Sequence, residues 1–119
     1  MTEYGEFLLT LMHSSTNAQI LHRQSRSYSE HMALGSFYED IIPLVDTLTE
    51  AIQGLQGEII EYPIDYYGPA ATGLEELMSL KEYVAEERKE MPQNSEIQNI
   101  IDEIAALIDG TIYKLKFLK

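Results

Sequence analysis

Apolar residues recur at steps of three and four through four separate stretches of this chain, and that period constrains the fold more than any other feature. In residues 3–22, Phe7, Leu8, Leu11, Met12, Ala18 and Leu21 fall on one stripe of a helix. A second stripe of Met32, Leu34, Phe37, Ile41, Leu44, Val45, Leu48 and Ile52 predicts a helix that starts after an N-cap at Ser27 or Ser29 and runs to about Leu55. Pro43 lies inside it and removes one backbone hydrogen bond, so a bend is expected there rather than a break. Gly54 and Gly57 close that helix. The stretch "EYPIDYYGPAATG", with two prolines and two glycines, reads as a connection with at most a short helix of its own, ordered by its tyrosines.

The third helix is expected over 74–91, with Leu77, Leu80, Val84 and Met91 on its inner side and Pro92 as its stop. For the fourth, Ser95 and Gln98 suggest a capping box, and Ile97, Ile100, Ile101, Ile104, Leu107, Ile108, Ile112 and Leu115 form the stripe. Two helices, a longer connection and two more helices predict an all-α four-helix bundle with one crossover, a single domain over residues 1–119.

Charge narrows the partners. Twenty acidic residues against eight basic ones give a net charge of −12, which attracts cations and opposes nucleic acid and anionic lipid. Cysteine is absent, so any metal site must be built from His and carboxylate. No apolar run is long enough to span a bilayer and "MTEYGEFLLTLMHSS" lacks a basic start, so a cytoplasmic protein is expected.

Four polar residues stand out. Asp46 and Glu50 are four apart, which puts their carboxylates one turn apart on one face. His22 ends the first helix and His31 opens the second, so a short loop makes them neighbours. Fifteen residues separate His31 from Asp46, about 22 Å along a helix, too far for one coordination shell within a chain. Two copies of the second helix packed antiparallel across a twofold axis bring the histidines of one chain opposite the carboxylates of the other. Equally, the histidines can bond backbone carbonyls while Asp46 and Glu50 face water. His13, nine residues before His22, falls on the opposite face and is assigned no role.

The stretch "ILHRQSRSYSEHMALGSFYEDIIPLVDTLTEAIQGLQG" resembles the core signature of the Dps family, ferritin-like mini-cages that oxidise and store iron. His31, Asp46 and Glu50 match its spacing, and His22 matches with a shorter loop. "EYPID" is similar to that family's stretch between second and third helices, and "LIDGTIYKLKFL", with Tyr113, is similar to its last helix. The resemblance implies ferroxidase sites shared between twofold-related subunits, with His22 and His31 as nitrogen ligands and Asp46 and Glu50 as carboxylate ligands. It implies Fe2+ as substrate, O2 or peroxide as oxidant, and a homo-oligomer from a dimer up to a dodecamer. Gly35 departs from it, standing where an acidic group is usual, as do Arg23 in place of tryptophan, and Pro43. The family's DNA binding, where present, uses a lysine-rich tail; here "MTEYGEF" leads almost directly into the first helix and the basic cluster is "YKLKFLK" at the other end, so a nucleic-acid partner is not expected. The short chain also resembles compact ferritin-like proteins of tailed bacteriophages. The alternative is a non-enzymatic scaffold that holds a small ligand or a protein through its oligomer interface or through Tyr62, Tyr66 and Tyr67.

Overall fold

A computed structural model describes residues 2–119, and among them the only regular structure is helical. Helix α1 spans Thr2–Gln24, α2 Tyr28–Gln56, α3 Gly73–Glu87 and α4 Ser95–Phe117, with a 3-10 turn over Arg88–Glu90 between α3 and α4.

The ends of these helices follow from local chemistry. Ser27 is extended, and its side chain accepts from the Glu30 N–H to open α2, as Thr72 does from Glu75 to open α3. Gly57 closes α2 in the left-handed region (φ 72°), its N–H bonded to the Gln53 carbonyl at 2.8 Å. The helix runs through Pro43 unbroken, and the Thr47 hydroxyl donates to the Pro43 carbonyl at 3.0 Å. Two expectations need correction. Helix α3 ends at Glu87, four residues early, because the 3-10 turn takes over. No capping box forms: Asn94 occupies the cap position, and the Gln98 amide donates to the Arg88 and Pro92 carbonyls while its oxygen accepts from Arg88.

Packing pairs join α1 to α2, α2 to α4, α4 to α3 and α3 to α1. The α3–α4 pair is antiparallel, registered by Lys81–Asp109 (3.2 Å) midway and Arg88–Asp102 (2.6 Å) at the turn. Phe7 stacks on Tyr83 at 6.0 Å between ring centres, so α3 ends where α1 begins. Gly73 lies against Leu34, so α3 begins where α2 begins.

Residues 57–72 must therefore cross the whole length of the bundle. They pass so close to α1 at Gly5 that a Cβ there would run into the Glu61 carbonyl oxygen. Further on, buried Asn17 donates to the Tyr67 carbonyl (3.1 Å) and to Glu76 (3.2 Å), and accepts from the Tyr66 hydroxyl (2.8 Å). Glu76 also accepts from the Ala70 N–H. The tyrosines thus order this segment less than expected: the rings of Tyr62 and Tyr67 are exposed.

Inside the ring of helices, Phe7, Leu11, Phe37, Ile41, Leu48, Ile52, Leu77, Ile97, Ile101 and Ile104 are fully buried, the stripes read from the sequence. Each such side chain adds about 1.5–3 kcal/mol over leaving it in water. Met32 departs from its stripe and is 48% exposed, beside the end of α4.

Asn17→Ala removes one side chain that serves three partners, leaving the Tyr67 carbonyl and Glu76 short of a donor in a half-buried site. The expected cost is about 2–3 kcal/mol in urea unfolding, with faster amide exchange at Ala70.

Candidate functional site

The last turn of α1 and the first turn of α2 hold His22 and His31 against each other. Helix α1 ends two residues after His22, so the His22 carbonyl has no helical partner, and the His31 Nδ1–H donates to it at 2.9 Å. In return the His22 Nδ1–H donates to the His31 carbonyl at 2.6 Å. The two rings stack with centres 3.6 Å apart at 18°, and Tyr38 meets the His22 ring edge-on at 5.4 Å.

This bonding sets the tautomer. A carbonyl only accepts, so each Nδ1 must carry its proton, and in the neutral ring the lone pair sits on Nε2. Among the described residues neither Nε2 has a hydrogen-bond partner and no fully buried side-chain nitrogen lacks one, so neither Nε2 is completely shut off from solvent. Histidines bound to metal commonly donate their other ring N–H to a carbonyl in this way. The same bonds also serve simply to lock α1 to α2.

Gly35 acquires a physical reason here. A Cβ at this position would lie 3.0 Å from His22 Cε1 and 3.2 Å from Nδ1, so the glycine makes the seat for the ring. Any larger residue at 35 competes with the imidazole for the same space. Arg23 points outward to Gln19 (3.4 Å), away from the pair.

Asp46 and Glu50 are exposed and take part in no ion pair among the described residues. They stay far down α2 from the histidines, and among the described residues no three His, Asp or Glu side chains come together as a metal site. Within one chain, the four residues thus form two separate halves.

His13 faces away from this pair, as its spacing requires, but it is not idle. Its ring meets Tyr66 edge-on at 4.8 Å and lines a cleft of about 360 Å³ between α1, the crossover and α3. Thr10, Asp65, Glu76 and Tyr83 share the walls. Burial pushes the Tyr83 phenol above its ordinary pKa, the Thr10 hydroxyl (3.3 Å) partly offsets this, and Glu6 and Glu87 add to the rise. The sequence carried no signal for the cleft, because it exists only once residues 57–72 lie along α1.

The model of the family of unknown function DUF5856 matches residues 22–115. The chain belongs to DUF5856. The part shared with DUF5856 starts at His22 and holds both histidines, Gly35, Asp46 and Glu50, the whole crossover and α3. No curated protein and no solved structure matches the chain.

Two predictions follow from these side chains. Alanine gains up to about 1 kcal/mol over glycine at an open helical site, and Gly110 on α4 is such a site, with nothing near its missing Cβ. Gly110→Ala is expected to raise the melting temperature and Gly35→Ala to lower it by displacing His22, with nuclear magnetic resonance of the histidine rings reporting the shift. The raised Tyr83 pKa keeps the folded phenol protonated where the unfolded one ionises. Its contribution is complete below about pH 10 and is lost as pH rises through the folded value. Urea midpoints should therefore fall above that pH, less steeply in Tyr83→Phe.

Proposed function

We propose that this chain is a ferritin-like iron-binding protein of the Dps kind, oxidising Fe(II) at sites shared between two twofold-related copies. The observation that carries this reading is the reciprocal His22–His31 stack, which engages both Nδ1 atoms and leaves both Nε2 lone pairs without a partner among the described residues. The crossover supports it as well, since two helical pairs joined by one lengthwise connection is the ferritin-like chain path.

His31, Gly35, Ile42, Asp46 and Glu50 follow one another along α2 at steps of four and seven, so they lie along one side of the helix. None of them is fully buried. Antiparallel pairing of that side with its copy puts Nε2 atoms opposite Asp46 and Glu50, twice per dimer. In this reading His22 and His31 bind Fe(II) through nitrogen, Asp46 bridges or ends the site, and Glu50 is the second carboxylate. The carboxylates favour the harder Fe(III), and each iron gives up one electron to O2 or peroxide.

Fe(II) added without oxygen and then exposed to air should develop ferric absorbance faster than buffer does, with His31→Ala and Asp46→Ala each slowing it by at least about tenfold. Wild-type protein that behaves like buffer, or that light scattering finds as a monomer, overturns the proposal.

The cleft beside His13 favours a second reading, an oligomeric ferritin-like scaffold without iron oxidation that holds a small ligand there. Native mass spectrometry would then find a small molecule retained by the wild type and lost from Ser79→Phe, whose ring fills the cleft.

A further inference from the structure

The charges on this bundle are sorted by end. Three of the eight basic side chains, Lys81, Arg88 and Lys89, are held in ion pairs. The other five, Arg23, Arg26, Lys114, Lys116 and Lys119, have no acidic partner among the described residues, and all are exposed. All five belong to one end, where α1 turns into α2 and α4 finishes; Lys114 and Leu118 line a hollow with Ser29 and Met32. Large apolar side chains stand among them: Tyr28 is 78% and Phe117 65% exposed, beside Met32, Tyr113 and Leu118.

That end is not purely basic, since Glu30 opens α2 and Glu75 and Glu76 open α3 there, but the five cations outnumber these three acids. At the opposite end acids dominate: Glu6, Glu58, Glu61, Glu87, Glu90 and Glu96 gather where α1 and α4 begin and α2 and α3 finish, none of them in an ion pair among the described residues, while the cations there, Arg88 and Lys89, are already paired. Leu55, Ile59 and Tyr62 are exposed there, Ile59 at 79%. Each end therefore offers apolar area rimmed by charge, with an excess of opposite sign.

We propose that copies of this chain associate head to tail, the basic, aromatic end of one bundle seating on the acidic, apolar end of the next. Such a contact uses two different surfaces and so builds rings where its rotation closes and open filaments where it does not, rather than simple pairs. It is distinct from the twofold contact along α2 and does not rest on iron chemistry. A second copy is the occupant these surfaces favour. It supplies both the carboxylates for the five free cations and the apolar area for Tyr28 and Phe117. A nucleic acid or anionic membrane brings its charge against a particle of −12 and leaves Leu55 and Ile59 uncovered.

Charge exchange tests this. The Lys114→Glu/Lys116→Glu protein has two acidic ends, and the Glu58→Lys/Glu61→Lys protein has a basic patch at both. Circular dichroism first establishes that each keeps its helix content. By sedimentation velocity, the wild type should exceed a dimer at ~0.05 M salt and shrink at ~0.5 M, where screening is short-ranged. Each variant alone should associate about tenfold more weakly. An equimolar mixture of the two should regain the large species, because each end then meets its complement. Wild-type mass that ignores salt and both double substitutions, or a mixture that stays small, overturns the proposal. So does binding to phosphatidylserine vesicles or duplex DNA that Lys114→Glu/Lys116→Glu abolishes while wild-type protein remains no larger than a dimer.

Discussion

Helix α2 stops at one end of the bundle and α3 starts at the other, so the chain must lay residues 57–72 along the outside of its own helices. An extended segment there exposes its backbone groups unless something on the bundle receives them. Asn17 is that receiver. Its amide is buried in α1, facing the passing chain, and it bonds the crossover and the start of α3 together. Glycine at position 5 lets the same segment come down onto the beginning of α1. The direction of α3, the pairing of all four helices and the cleft beside His13 follow from that route.

The helical stripes could be read directly because a period of three and four is a local property, and burial of Phe37, Ile41, Ile97 and Ile101 agrees with it. One misreading arose because a distant partner had claimed a residue. Gln98 has the spacing of a capping residue, yet Arg88 and the Pro92 carbonyl hold its side chain. Met32 has the period of a core residue but lies at the rim, where α4 runs out before covering it. The nearness of His22 and His31 was legible from the length of the loop alone. The role of Gly35 was not, since a missing carboxylate and a space kept for an imidazole look the same in one dimension. His13 was assigned no role for the right geometric reason, facing away from His22, but the surface it faces is made by the crossover and α3, more than fifty positions further on.

The histidine pair and the cleft lie on opposite sides of α1, and each depends on a different neighbour. The pair needs only the α1–α2 hairpin, with Tyr38 and Gly35 supplied by α2. The cleft needs the crossover and α3. A change that loosens residues 57–72 therefore reshapes the His13 side while leaving the stacked imidazoles in place, so the two sides of α1 can vary independently.

Most of the packed interior belongs to the helices; of the connecting segment only Ile60 joins it. Severing the backbone somewhere in 63–69 would divide the polypeptide into an α1–α2 hairpin and an α3–α4 hairpin, each antiparallel and each with an apolar side made to face the other. The bundle is in this sense two halves on one thread, suited to reassembly from separately produced fragments.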